Sequence, residues 1–344
     1  MKTEPVVKMR ELTQKERLLQ AIACRAVEKI PVVSFTQTAT LDLMKLAGAY
    51  WPKAHKDAKL MSKLAVAGHT EAFLEAVRVP FGLTAEAATM GCTVNYHEDK
   101  NDFTPAVEKG LLNLNDIRFP EPDEGIIGEI AESVRISRGA VGDDVPIIVG
   151  VTGPFTIAGH LRGVNDILTD LILNNELVHR LINSSWPVSL SFANALVDNG
   201  ADVVVLIEPT ASIIGSEFFG EYVLPSLKKV VSAVKALTVL HICCDSMPLV
   251  AMIAETGAAG LSIDQKVNIA RAKEAVRGRC SVVGNVDPVA ILQMKKPEAV
   301  AQDCRRILSE GTDVLAPGCG ISPYTPTENI RSMIKARDMY CNST

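Results

Sequence analysis

The stretch DVVVLIEP, residues 202–209, is the clearest of eight short apolar runs that decide the fold. It is rich in β-branched side chains and is closed by a glutamate and a proline, as expected for a strand buried on both faces. Comparable runs lie on both sides of it, at 31–37, 75–82, 146–153, 237–243, 258–264, 281–287 and 312–320. Longer segments with a helical period separate them.

Eight strands that alternate with helices predict an α/β fold, a single (β/α)8 TIM barrel that takes up residues 1–344 as one domain. A doubly wound open sheet is the alternative. Residues 1–30 are predicted to form a helical extension whose helix, at 12–28, covers the bottom of the barrel. Residues 91–110 alternate and turn like a β-hairpin inserted after the second strand.

Composition excludes several classes of function. Of the 344 residues 47% are hydrophobic, and the net charge of −5 gives no electrostatic basis for binding nucleic acid or an anionic membrane. The N-terminal residues lack the apolar region of a signal peptide, and no apolar run approaches the roughly 20 residues that span a bilayer. Eight cysteines in such a chain are expected to be reduced thiols. The sequence thus predicts a cytoplasmic protein.

Three residues form a candidate metal site. His241 and Cys243 end the fifth predicted strand and, two residues apart, point to the same face. Cys319 ends the eighth strand between Gly318 and Gly320, whose missing Cβ atoms allow close backbone approach. The catalytic residues of such barrels lie at the C-terminal ends of the strands. One imidazole and two thiolates suit Zn²⁺, and three protein ligands with a free position are typical of a catalytic zinc.

Other metal-binding candidates are weaker. Asp264 closes the sixth strand, beside the fifth, and is predicted to be a fourth, exchangeable ligand. Cys244 follows Cys243 but faces the other way in a strand, so it is left outside the metal site. The remaining cysteines are interpreted as small buried hydrophobic residues. For the three metal-site residues themselves, core packing and a structural zinc site are the alternatives.

A zinc site with two thiolates favours a particular chemistry. The two negative charges offset the metal's charge, which limits its ability to polarise a carbonyl group. A thiol that binds such a metal is nevertheless deprotonated, and its sulfur stays rich in electrons. The site therefore suits attack on a soft alkyl group, such as a methyl group, better than it suits hydrolysis.

Further candidates for substrate binding lie at or near the predicted strand ends. They are Gln37, Thr38, Arg78, Glu86, Glu208 and Asn285. A sulfonate or carboxylate on the substrate needs a cation, and Arg78 and Arg162 are the candidates, with an ordinary ion pair as the alternative for each.

Several segments resemble one family. They are residues 31–57, 74–92, 241–243, 260–264, 284–288, 313–326 and 328–331, which together sample nearly the whole chain. They are similar to methylcobamide:coenzyme M methyltransferases of the uroporphyrinogen decarboxylase superfamily, and the His-X-Cys…Cys motif falls on His241, Cys243 and Cys319. The resemblance implies a (β/α)8 barrel, a zinc-bound thiol acceptor and a methyl group supplied by a methyl-Co(III) corrinoid. It also supports Asp264 as a ligand.

The resemblance therefore implies a zinc-dependent methyltransferase in which a zinc-bound thiolate takes a methyl group from a methylated corrinoid protein. Coenzyme M is the expected acceptor. Tetrahydrofolate is the alternative acceptor, since residues 241–245 read HICCD where the family pattern is expected to continue as HICGN. The Asp-x-His-x-x-Gly signature of a corrinoid module is missing from the sequence, so the corrinoid (methylcobalamin) is expected on a partner protein.

Two other functions are the alternatives to methyl transfer. Uroporphyrinogen decarboxylation needs no metal, and its polycarboxylate substrate calls for arginines near the first strand, whereas residues 34–38 contain none. A structural zinc barrel that serves as an assembly partner for a corrinoid protein is the non-enzymatic alternative.

Overall fold

The computed structural model describes residues 11–342 except 112 and 120. The first ten residues of the predicted extension lie outside the described residues. The strands are β1 (Val77–Val79), β2 (Thr93–Asn95), β3 (Ala106–Lys109), β4 (Ile147–Thr152), β5 (Val203–Ile207), β6 (Leu237–Ile242), β7 (Gly260–Ile263) and β8 (Ser281–Val283). Six of them form a parallel sheet in the order β1-β4-β5-β6-β7-β8. β2 and β3 pair antiparallel and confirm the predicted hairpin.

Two extended segments close this sheet into a barrel. Val32 forms a parallel bridge with Leu315, and its carbonyl accepts a hydrogen bond from the N–H of Glu75 at 2.9 Å, just before β1. On the other side, Val314 forms a parallel bridge with Val283 of β8. The segments around residues 32 and 315 are therefore the first and eighth strand positions. The (β/α)8 barrel is confirmed, and the sheet is not open.

Helices surround the barrel. The α-helices are α1 (Gln14–Ile22), α2 (Leu41–Ala47), α3 (Ala58–Thr70), α4 (Ala85–Thr89), α5 (Gly125–Val141), α6 (Pro154–Arg162), α7 (Val164–Leu173), α8 (Asn175–Asp198), α9 (Gly215–Phe218), α10 (Leu224–Ala233), α11 (Val250–Ile253), α12 (Ile269–Val276), α13 (Pro297–Ser309) and α14 (Thr327–Cys341). Their apolar faces and the outward side chains of the strands form the larger hydrophobic core. Among the described residues, no helix has the length and apolar character needed to cross a bilayer.

A second core fills the lower half of the barrel. It contains inward-facing valines such as Val203, Val205 and Val239, together with Leu18 and Ile22 of α1. Helix α1 therefore closes the bottom of the barrel, as the sequence predicted for this region. The helix is shorter than predicted and ends at Ile22, and residues 23 and 24 form a turn.

A buried ion pair connects helices α1 and α14 to the barrel. The guanidinium of Arg337, on α14, donates to both carboxylate oxygens of Glu75, at 2.9 and 2.8 Å. Arg17 of α1 approaches the same carboxylate at 3.6 Å. Glu75 also accepts a hydrogen bond from the N–H of Val32 at 2.8 Å. One carboxylate thus joins α1, α14 and the first strand position.

Candidate metal centre and substrate cavity

Three ligand atoms converge above the barrel core. His241 lies on β6, Cys243 follows the strand directly, and Cys319 lies in the loop after the eighth strand position. Nε2 of His241 is 3.2 Å from Sγ of Cys243, which is 3.5 Å from Sγ of Cys319. All three ligand atoms lie within 4.8 Å of one another. In tetrahedral zinc sites with these ligands the donor atoms are about 3.5 to 3.8 Å apart, so the donor set fits this ion.

The strand next to β6 orients the imidazole. Nδ1 of His241 lies 3.1 Å from Oγ and 3.2 Å from the carbonyl oxygen of Ser262, on β7. A hydrogen bond from Nδ1 leaves Nε2, which faces the thiols, free to bind a metal, and such a partner is usual for ligand histidines. The hydrogen bond between the two thiols lowers the pKa of Cys319 and raises the pKa of Cys243, because one proton between them stabilises the Cys319 thiolate.

The glycines beside Cys319 have different roles. A Cβ at Gly318 would lie only 2.6 Å from the backbone N of Gln265, so the close approach predicted for this position is present. At Gly320 the nearest atom to such a Cβ would be Cγ of Gln37, at 3.5 Å, which is ordinary contact. The loop that carries Cys319 therefore depends on glycine at 318.

Asp264 lies beside the three-residue group without belonging to it, as far as the described residues show. Its Oδ2 accepts the N–H of Cys244 and its Oδ1 accepts the N–H of Lys266, both at 2.9 Å. The carboxylate therefore holds the loop that follows Cys243, and direct coordination by Asp264 stays a prediction. Cys244 is exposed and also lies outside the group, as the sequence predicted.

A cavity of about 510 Å³ opens next to the three ligands. Its walls are largely apolar, with few charged groups. They are formed by Thr36, Gln37, Arg78, Phe81, Gly82, Leu83, Thr84, Thr104, Pro105, Ala106, Val107, Glu108, Gly110, Gly159, His160, Gly163, Val164, Ile207 and Gly320, together with His241, Cys243 and Cys319.

The hairpin forms one wall of this cavity. Pro105 packs so tightly on Gly82 that a Cβ at Gly82 would lie 3.0 Å from Cδ of Pro105, and a Cβ at Gly110 would lie 2.6 Å from the carbonyl oxygen of Leu161. The hydroxyl of Tyr324 donates to Asp102, which links the hairpin to the loop after the eighth strand position. The sequence predicted the hairpin but not its place over the cavity, because the contacts that place it are with residues distant in the chain.

Arg78 and Arg162 have opposite surroundings. Arg78, on β1, is only 2% exposed and lines the cavity. Its Nε donates to the carbonyl oxygen of Phe35 at 3.3 Å. The side chain of Arg162 is 36% exposed, and its Nε donates to Asp170 at 2.7 Å. The ordinary ion pair that the sequence left open therefore applies to Arg162.

The carboxylates of Glu86 and Glu208 accept hydrogen bonds from other residues of the protein. Glu86 accepts the N–H and the hydroxyl of Thr152, at 2.6 and 2.8 Å. Glu208 accepts the N–H groups of Phe155 and Thr156, at 2.9 and 2.8 Å, in the first turn of α6. Neither belongs to the described cavity lining. The two carboxylates hold loops at the ends of β4 and β5, and substrate contact by either residue stays a prediction.

Two further candidates, Asn285 and Thr38, also contact other parts of the protein, and substrate binding by them stays a prediction. The side-chain amide of Asn285 donates to the carbonyl oxygens of Asp264 and Val267, at 2.9 and 2.8 Å, so it braces the loop that carries Asp264. Thr38 is buried against Gly68 of α3. Neither is among the described residues of the cavity wall. Gln37 does line the cavity, but its amide is bound to the backbone of Ala39 and Ile321.

His160, on α6, lines the cavity, and its buried Nδ1 has no hydrogen-bond partner among the described residues. Burial lowers its pKa to about 4, so the ring is neutral near pH 7.

Comparisons with known proteins agree with this architecture. The uroporphyrinogen decarboxylase (URO-D) family profile matches residues 13–340. The chain is 40% identical to methylcobamide:CoM methyltransferase MtbA of Methanosarcina acetivorans, covering 96% of this chain and 99% of that one. It is 36% identical to MtaA of Methanosarcina barkeri, which has the same description, again over 96% and 99%. A solved methyltransferase from Methanosarcina mazei superposes with a TM-score of 0.93 at 36% identity, over 96% of this chain and 99% of that one. The chain is a methyltransferase of the uroporphyrinogen decarboxylase family and belongs with the methylcobamide:CoM methyltransferases.

Proposed function

We propose that this protein transfers a methyl group from the methyl-Co(III) corrinoid of a partner protein to a small thiol, with coenzyme M as the acceptor. The convergence of His241, Cys243 and Cys319 at the wall of one cavity carries the proposal. The relatives named above support the choice of donor and acceptor.

The three residues would hold a zinc ion. Bound there, zinc would supply an electropositive centre that keeps an acceptor sulfur deprotonated near neutral pH. Ser262 fixes the imidazole of His241, and Asp264 fixes the loop after Cys243 through the N–H of Cys244. These contacts keep the three ligand atoms together before a substrate arrives, which limits the reorganisation that binding requires.

The reaction that we propose needs no oxidant or reductant. The acceptor thiol loses its proton to solvent, and its sulfur forms a bond to the methyl carbon. The cobalt–carbon bond breaks, and both of its electrons stay on cobalt, which becomes Co(I). The apolar walls formed by Phe81, Leu83, Val107 and Val164 would exclude water from the sulfur and the methyl group.

A test of the metal site pairs substitutions of two cysteines, one inside and one outside the three-residue group. Cys319→Ser should lose bound zinc, measured by mass spectrometry of the metal, and methyl transfer from methylcobalamin together. Cys244→Ser is the matched control, because Cys244 is exposed and lies outside the three-residue group. It should keep both. Full zinc content with full activity in Cys319→Ser would refute the assignment.

The acceptor is tested with the zinc-loaded wild type under anaerobic conditions. Cob(I)alamin absorbance is followed with methylcobalamin as donor and coenzyme M as acceptor. A signal that needs both zinc and coenzyme M supports the proposal. Turnover with tetrahydrofolate but not with coenzyme M would support the alternative acceptor instead. Zinc whose sulfur coordination is unchanged by added thiols, in X-ray absorption, would support the structural alternative.

A further inference from the structure

We infer that Arg78 forms an anion subsite at the base of the cavity, and that it selects thiols that carry an acidic group such as a sulfonate. The inference rests on the proposed function, because it concerns the acceptor of the same reaction. The structure supports it through the position of the side chain, the lack of a counter-charge and the space reserved for the guanidinium.

The position of Arg78 follows from the strand period. On β1, Val77 and Val79 pack in the outer core, whereas Ala76 belongs to the core inside the barrel. Arg78 alternates with Val77 and Val79 and therefore faces inward. The Arg78 side chain reaches the cavity that His241, Cys243 and Cys319 also line. An acceptor in this cavity can therefore meet the metal ligands and the arginine at the same time.

Among the described residues, no charged group neutralises Arg78. Within the described parts of residues 11–342, no carboxylate forms an ion pair with Arg78, and its buried Nη1 has no hydrogen-bond partner. Its one described hydrogen bond is from Nε to the carbonyl of Phe35. Burial lowers the pKa of the guanidinium to about 9, still above neutral pH. Other buried arginines here are paired, as Arg337 is with Glu75.

An unpaired charge inside a protein is costly. Removing a guanidinium from water without a partner is unfavourable by several kcal/mol, on the order of the cost per ion of a buried pair. A ligand that brings the opposite charge offsets this cost, and the planar fork of arginine matches the oxygens of an acid group. The unpartnered Nη1 of Arg78 thus indicates an anionic ligand.

A glycine in the barrel wall leaves space for the side chain of Arg78. Gly150 of β4 lies beside Arg78, and a Cβ at Gly150 would lie 2.7 Å from Cζ of the arginine and overlap Nη2. Only glycine at this position allows the guanidinium to lie across β4. Because Gly150 has ordinary strand geometry, its lack of a side chain is explained by this contact and not by its backbone conformation.

Binding of an anion can be tested apart from catalysis. Ethanesulfonate has the acid group but no thiol, and isothermal titration calorimetry measures its affinity at fixed salt. Arg78→Met should weaken binding about 10- to 100-fold, the worth of a hydrogen bond to a charged group. Arg78→Lys should give an intermediate loss. Arg162→Met is the matched control and should bind within about twofold of wild type, because it breaks an exposed ion pair.

Kinetics then test selectivity. In Arg78→Met the KM for coenzyme M should rise about 10- to 100-fold. The KM for uncharged 2-mercaptoethanol should change little, and zinc content should stay the same. The melting temperature of Arg78→Met should not fall, because replacing an unpaired buried charge by an apolar side chain is neutral or stabilising.

The outcomes separate the two claims. Failure of the wild type to methylate any thiol would refute the proposed function, while ethanesulfonate binding would still report on Arg78. Ethanesulfonate that does not bind the wild type, or that binds Arg78→Met equally well, would overturn the subsite. So would an equal loss of activity with coenzyme M and 2-mercaptoethanol.

Discussion

Gly150→Ala is predicted to disturb the anion subsite without changing any charge. The added methyl carbon would lie 2.7 Å from Cζ and 3.1 Å from Nη1 of Arg78, so the guanidinium must move. Forcing extra volume into a packed interior costs about 1 to 3 kcal/mol, and the lower end applies here because the atoms that must move are the end of a side chain beside a cavity. With about 2.1 cal/mol/K of unfolding entropy per residue over 344 residues, a cost of about 1 kcal/mol corresponds to a fall in melting temperature of about 1.5 °C.

The assay is a double-mutant cycle read by thermal unfolding and by the KM for coenzyme M. Adding Gly150→Ala to Arg78→Ala should cost less than about 0.5 kcal/mol, because the clashing side chain is gone and the two sites couple only through it. The KM should rise in the single variant because the guanidinium is displaced. Gly139→Ala is the control, since nothing lies within 4 Å of the new methyl group, and it should stabilise α5 by about 0.5 to 1 kcal/mol.

Equal destabilisation by Gly150→Ala in the wild type and in Arg78→Ala would refute the reasoning. It would mean that the cost arises in the strand and not at the arginine. An unchanged KM in Gly150→Ala would separately refute the claim that the position of the guanidinium matters for the acceptor.

Two further predictions concern buried carboxylates. Arg337→Met should destabilise the protein by about 3 to 5 kcal/mol in urea unfolding, because it breaks the buried ion pair with Glu75. Adding Glu75→Gln should recover part of this loss, since no unpaired carboxylate then remains. A double variant whose two losses simply add would contradict this prediction. Burial raises the pKa of Glu208 to about 7, against the partial opposition of hydrogen bonds from Thr156 and Phe155. The folded state therefore binds the extra proton between about pH 4.5 and 7, so stability should fall by about 3 kcal/mol as pH rises through this window. Glu208→Gln should lack this component when urea unfolding is compared at pH 5 and pH 8, and an identical pH dependence would contradict the assignment.

The barrel and the three clustered ligand residues were predictable because both follow from local rules. Strand alternation places His241 and Cys243 on one face, and parallel strands bring their C-terminal ends to one rim. The strand positions around Val32 and Leu315 are less regular than predicted. Pro31 and Pro317 have no N–H to donate, so these segments form single bridges and not a ladder.

The roles of the polar residues at the strand ends were less predictable. Glu208 lies at a strand end, as substrate ligands do, but its oxygens are taken by N–H groups of α6, and only tertiary structure brings these groups near. For Arg78 the sequence indicates a cation within a strand. The placement of its guanidinium depends on Gly150 and on the carbonyl of Phe35, which are distant in the chain.

Closure of the barrel floor by α1 has a consequence for the order of events. Leu18 and Ile22 fill the lower end, so molecules reach the cavity from the side where the strands end. In the proposed reaction the small acceptor and the large methyl donor then use the same entrance to the cavity. The acceptor must enter before the corrinoid protein docks, and the methylated product must wait until that protein leaves. Turnover should therefore follow a compulsory order, and a large excess of the demethylated corrinoid protein should slow it by keeping the product inside.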